Sequence, residues 1–137
     1  MIVIDASVLA DFLLGRPAAL EAVERALDGS DQQPLHAPAL IEPETLNALR
    51  RVALAGLVSD QRATEAALDL DSVRLVRHPH PPLRARVWEL RHDLTAYDAS
   101  YLALAEALDD PLLLTGDRGL AQHSRRSIGE DGVRLVR

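Results

Sequence analysis

Four carboxylates occupy places in this chain where a neutral or aliphatic residue would pack better. Asp5 ends the apolar run Ile2-Val3-Ile4 in "MIVIDASVLADFLL", and Asp117 follows Leu112-Leu113-Leu114 after Thr115 and Gly116. Asp98 lies in "TAYDASYLALAEAL", at the start of a strongly apolar helical pattern, and Glu44 lies in a first turn within "EPETLNALRR". Each acid alone has a plain structural explanation. Asp5 reads as a helix N-cap. Asp98 and Glu44 read as favourable charges at helix N-termini, and Glu44 could pair with Arg50 or Arg51. Together they imply more. Four carboxylates around one crevice repel one another unless protonated or metal-bound. Oxygen-only ligands suit Mg²⁺ or Mn²⁺ rather than zinc. Such a cluster is equipment for metal-assisted chemistry on phosphate esters. His78 and His80 flank Pro79 and raise a second metal question. With no third ligand nearby, they read as an exposed loop.

The elements that must position these acids follow from periodicity. Ile2–Ile4 is a buried strand, with Ser7 capping a helix through Val8, Leu9, Phe12 and Leu13. Pro17 opens a second helix that stops at Gly29, and "PLHAP" is a short strand. Pro43 disfavours helix at Glu42, so the next helix is expected from near Pro43 to Gly56. In that helix Asn47 and Ala48 share the face of Glu44, while Leu46 and Leu49 turn to the core. Ser59-Asp60 starts a helix to about Asp69, and "VRLV" at 73–76 alternates as a strand. The "HPHPP" segment is a stiff connector before helices at 83–92 and 97–108. "PLLLTGD" is a strand running into a turn, followed by a short helix and a last strand in "VRLVR". Strands separated by helices imply parallel pairing and an α/β/α sandwich in one domain, 1–137. Ligands then bind beyond the carboxyl ends of the strands at the switch point, where Asp5 and Asp117 would meet.

Composition narrows the chemistry. The chain of 137 residues is 47% hydrophobic but only 3% aromatic, so its core must be aliphatic. It has no cysteine, which excludes disulfides, thiolate metal sites and a cysteine nucleophile. All 15 basic residues are arginine. The absence of lysine excludes Schiff-base chemistry and a P-loop. It also argues against phosphoryl-aspartate receivers and haloacid-dehalogenase-like phosphatases, which need a lysine near the phosphoryl group. The dehalogenase pattern also wants an acid where Ser7 stands. The opening segment lacks the basic region of a signal peptide, and no apolar run approaches the ~20 residues of a membrane span. A soluble cytoplasmic protein is the expectation.

In order and over the whole length, these segments resemble PIN-domain ribonucleases, and within them the VapC-type toxins of bacterial toxin–antitoxin pairs. "MIVIDASVLADFLL", "EPETLNALRR", "LTAYDASYLALAEAL" and "LLLTGDRGLA" are similar to the four motifs of that family. The acid-to-Asn spacing places the family glutamate at Glu44, not Glu42. The resemblance implies a parallel sheet of about five strands in order 3-2-1-4-5, with the acids over its centre. It implies Mg²⁺- or Mn²⁺-dependent hydrolysis of single-stranded or loop RNA. Asp5 and Asp98 would be the principal metal ligands, Glu44 and Asp117 would complete the shell, and Ser7 and Thr115 would support it. It further implies a homodimer silenced by a small antitoxin whose tail lies across the acidic crevice.

The residues alone give less: a metal-dependent enzyme acting on phosphate esters. They do account for a net charge of −6 in a protein that must meet RNA, since two divalent ions would bring it to −2 (−6 + 4). Arg50, Arg51 and Arg118, with Arg125 and Arg126, lie near the motifs and could contact phosphate. Phe12, Trp88 and Tyr101 lie on apolar helical faces and Tyr97 opens its helix, which favours core or rim positions over a stacking platform. The alternative is a catalytically silent PIN-like module that acts only through its partner. It should have lost some of its acids, and a metal-dependence assay on single-stranded RNA separates the two.

Overall fold

The structure is a computed structural model that describes residues 1–29 and 32–137. Strand β1 (Ile2–Ile4) leads into helices α1 (Ala6–Leu13) and α2 (Pro17–Leu27). Strand β2 (Leu35–Pro38) is followed by α3 (Ile41–Leu54) and α4 (Asp60–Asp69), then β3 (Leu75–His78). Helices α5 (Arg84–Glu89) and α6 (Ala96–Ala107) precede β4 (Leu112–Thr115), α7 (Arg118–Ile128) and β5 (Val133–Leu135).

The five strands form one parallel sheet in the order β3-β2-β1-β4-β5, as the family resemblance implied. From β1 the chain winds outward to β3, then returns to the other side of β1 for β4. The switch point therefore lies between β1 and β4. With right-handed crossovers, α1 packs on α3 on one face, and α6 packs on α7 on the other. The β1–β4 register pairs Ile2, Val3 and Ile4 with Leu112, Leu113 and Leu114. That register brings the ends of both strands level, and the amide of Asp5 donates to the carbonyl of Leu114 at 3.1 Å. The core is aliphatic, with Val3, Ile4, Leu9, Ile41, Leu102, Leu113 and Leu114 fully buried. Among the described residues, no helix is long and apolar enough to cross a membrane.

Three element boundaries differ from expectation. Helix α3 starts at Ile41, so Glu42 lies inside it. Pro43 is its third residue, where a missing N–H costs nothing because the first four amides have no partner within the helix. The amide of Leu40, just ahead, donates instead to Nε2 of His80 at 3.0 Å. Strand β3 runs over 75–78 rather than 73–76. Its ladder begins where Leu75 meets Leu35 and ends where His78 meets Pro38, so the partner strand fixes the frame. His78 is thus a strand residue, not part of a loop, and its Nε2 lies 2.9 Å from Nδ1 of His36. Helix α5 starts one residue later than read and ends at Glu89 rather than near His92, because the amides of Arg91 and Asp93 turn to the carbonyls three residues back, Trp88 and Leu90.

Candidate active site

The site is built from helix starts. Asp5 is the N-cap of α1, and its Oδ1 accepts from the amide of Val8 at 3.0 Å. Asp117 is the N-cap of α7, and its Oδ1 accepts from the amide of Leu120 at 2.7 Å. Asp98 stands in the first turn of α6, which Thr95 caps, and Glu44 in the first turn of α3. The topology turns all four helix starts toward the carboxyl edge of the sheet. There the four acids line one crevice of about 360 Å³, together with Ser7, Asn47, Arg51 and Tyr101.

Asp5 is the fixed point of the group. It is only 5% exposed, yet well satisfied. Besides the amide of Val8, the Ser7 hydroxyl donates to its Oδ1 at 2.6 Å and the Thr115 hydroxyl donates to its Oδ2. Ser7 is therefore not the helix cap expected for it. It holds the cap, and it also accepts from the amide of Gly116 at 3.1 Å. Thr115 accepts from the amide of Asp117 at 3.0 Å, which links the two strand-end acids through one hydroxyl. A Cβ on Gly116 would stand 2.8 Å from Ser7 Oγ, so only glycine leaves this bridge undisturbed.

The electrostatics match a crowded acidic site. Burial pushes the Asp5 carboxyl above its ordinary value, against the pull of its hydroxyl and amide donors. Burial also raises Glu44, and the Asp5 charge adds to it. Asp98 is pushed up to about 6, first by burial and then by the charges of Asp117, Asp5 and Glu44. Glu44 is aimed by Tyr101, whose hydroxyl donates to its Oε1 at 2.7 Å. No ion pair joins Glu44 to Arg50 or Arg51 among the described residues.

Of the arginines expected near RNA, Arg51 alone of Arg50, Arg51 and Arg118 lines the crevice. Arg50 looks away, into the groove between α3 and α4. Arg118 is exposed at the start of α7 without lining the crevice, and Arg125 pairs with Glu130 at 3.2 Å. Glu42 is outside the site too, paired with Arg77 of β3. Tyr101 is the site residue that pattern reading missed, because it sits on an apolar helical face and is 2% exposed. Its position three residues after Asp98 was the available signal, since residues so spaced share a helix face. Leu46 was read as packed but is exposed, lying one residue off the buried stripe of Thr45 and Leu49, whereas Trp88, read as core or rim, is exposed under Arg91.

The acids form an open ring. Among the described residues, no three acidic or histidine side chains stand close enough to share one ion as placed. Uncompensated carboxylates repel, and Asp5, Glu44 and Asp117 are each drawn aside by a donor of their own. The donor set nevertheless suits a hard divalent cation: it is all oxygen, and among the described residues Glu44 Oε2 and Asp117 Oδ2 have no hydrogen-bond donor.

An open parallel α/β sheet with a carboxylate-lined crevice at its switch point defines the class. Comparison with known proteins gives the family. The family model described as the PIN domain matches residues 2–125. Ribonuclease VapC1 of Mycobacterium tuberculosis is 42% identical over 120 residues, which is 87% of this chain and 87% of that protein. Ribonuclease VapC12 of the same organism is 38% identical over 122 residues, 89% of this chain and 91% of its own. Ribonuclease VapC9 is 38% identical over 128 residues, 89% and 94% of the two chains. The chain belongs to the PIN-domain family and, within it, to the VapC proteins.

Proposed function

We propose that this protein is a Mg²⁺- or Mn²⁺-dependent endoribonuclease and the toxin of a toxin–antitoxin pair. The observation that carries the reading is the convergence of Asp5, Glu44, Asp98 and Asp117 on one crevice, in a chain akin to proteins named ribonucleases. Asp5 and Asp98 would be the principal ligands of the ion, with Glu44 and Asp117 completing the shell. Such an ion acidifies a bound water and offsets the charge of the scissile phosphate. The residues of the chain supply the rest. Ser7 and Thr115 fix Asp5 in one orientation. Tyr101 directs Glu44, whose raised affinity for a proton suits it to accept one from the attacking water. Arg51, on the crevice wall, is placed to meet a phosphate.

A homodimer and a small antitoxin laid across the crevice belong to the same reading. The exposed Leu54, Leu57 and Leu68 give such assembly an apolar surface. The test is RNA cleavage by the parent protein, by Asp5→Asn and by Asp98→Asn, with Mg²⁺, Mn²⁺ or chelator, alongside growth inhibition on expression. Cleavage and toxicity should vanish in both variants while circular dichroism stays native. Activity that survives chelator would remove the metal from the mechanism. A parent protein inert on RNA would favour the silent binding module.

A further inference from the structure

The first turn of α6 is a ridge between two cavities. Asp98 and Tyr101 face the acidic crevice. Tyr97 and Ser100, one residue earlier in each case, face a second cavity of about 340 Å³. Leu40 and Val87 supply apolar surface to it, and His80 and Arg84 stand on its rim. Three features make this cavity a candidate for a ligand. Tyr97 is 64% exposed, so its ring is an open flat face. Arg84 makes no ion pair or hydrogen bond among the described residues, unlike Arg86, which is held by Glu89 and Glu106. His80 is already committed to the amide of Leu40, so the rim is stiff. A single exposed tyrosine is ordinary. A tyrosine over a cavity, beside an unpaired arginine, with its chain neighbour in the acidic crevice, is not.

We propose that this cavity is a subsite for one unpaired nucleobase of the RNA, flanking the phosphate that lies over the acids. The proposal rests on the ribonuclease reading and adds to it the place where a neighbouring base is held. Tyr97 and Asp98 are consecutive residues of α6, so the cavity and the acidic crevice flank the same helical turn, and a strand crossing the crevice passes beside the tyrosine. Every base has a face that stacks on an aromatic ring, and Arg84 offers its planar cation to the adjoining phosphate or to the base itself. The volume lies within the range of ligand pockets, roughly 300 to 1,000 Å³, and the ring stacks only on a base whose face is not already covered by its neighbours in a duplex. The subsite thus selects single-stranded or looped RNA. Trp88 does not compete for this role, because Arg91 already covers its ring at 4.6 Å.

The test is steady-state cleavage of a short randomised single-stranded RNA. Tyr97→Ala should raise KM about tenfold with kcat nearly unchanged, and Tyr97→Phe should behave as the parent. Arg84→Ala should raise KM and lower the slope of binding against salt by about one. A strand of the same length with abasic sites serves as a competitive inhibitor. Its inhibition constant should be the same for the parent and Tyr97→Ala, since without bases there is nothing to stack. An unchanged KM in Tyr97→Ala overturns the subsite, as does a loss that persists with the abasic competitor, which would mark a structural role. An altered sedimentation coefficient with unchanged KM would assign this face to a protein contact and likewise overturn it. A parent protein without activity on any RNA refutes the ribonuclease reading itself, and the subsite with it.

Discussion

Replacing Asp98 by Asn removes a charge the fold holds at a cost. The carboxyl is held up to about 6 from an ordinary 3.8, by burial first and then by Asp117, Asp5 and Glu44. A folded value above the unfolded one means that the native state binds the proton more tightly. Its contribution is fully present below 3.8 and is lost as pH rises through about 6. At neutral pH the metal-free protein therefore carries the penalty in full. Two pK units correspond to about 3 kcal/mol in a sealed site. This crevice is open to water, which screens the like-charge part, so about 1 kcal/mol is the working figure. Asn keeps the shape and cannot ionise. In chelator at neutral pH, Asp98→Asn should thus be more stable than the parent by about 1 kcal/mol, a rise in Tm of about 3–5 °C for a domain this size. The gain should shrink as the pH is lowered through 6 toward 3.8, where the parent carboxyl takes up its proton. Urea unfolding of both proteins across that range gives the two curves. A variant no more stable than the parent at neutral pH would refute the reasoning. So would a gap of constant size, because shape rather than charge would then account for it.

Three further outcomes follow from the same site. Glu44→Gln should lose at least tenfold in cleavage, about 1.4 kcal/mol of transition-state stabilisation, whereas Glu42→Gln should cleave normally and lose only a surface pair with Arg77, worth at most about 1 kcal/mol; the reverse ranking would move the site glutamate to Glu42. Mg²⁺ or Mn²⁺ should raise the melting temperature of the parent, by about 2.7 kcal/mol of stabilisation at a hundredfold excess over the dissociation constant, and should do so less in Asp98→Asn; no shift in a titration to millimolar ion would leave the acids without a metal. Gly116→Ala should leave the fold intact but depress cleavage severalfold, because the new methyl meets Ser7 Oγ at 2.8 Å and disturbs its bond to Asp5; full activity would show that Ser7 is dispensable.

Much of this was legible in the chain, for identifiable reasons. The acids stand out because each interrupts an apolar pattern, and apolar patterns fix the elements of an α/β domain. The strand order came from motif resemblance, since local periodicity carries no information about which strands are neighbours. What escaped depends on partners far away in sequence. Helix α3 begins early because His80 receives the amide ahead of it. Strand β3 is framed by β2. Tyr101 looked like core and is core, except for the one oxygen that reaches Glu44. Arg50 and Arg51 are adjacent, yet a helix sends successive side chains about 100° apart, and only one of them meets the crevice.

The modest reading of the acids and the catalytic one are not rivals in this fold. Asp5 and Asp117 do cap their helices, and Asp98 and Glu44 do sit in first turns. Parallel α/β topology brings helix starts to the carboxyl edge of the sheet, so residues chosen as caps are delivered to the crevice with their side chains oriented. The partial positive charge of each helix start offsets part of the negative charge gathered there. Capping alone, however, does not call for ionised groups. Asn and Ser cap as well as Asp does, and neither suffers on burial as a carboxylate does. Here burial works against ionisation of Asp5, Glu44 and Asp98 alike. Charge is thus present at these three positions beyond what the helices need and against what stability favours. The metal ion and phosphate proposed for the crevice would account for charges kept at such a cost, since an all-oxygen donor set suits hard cations.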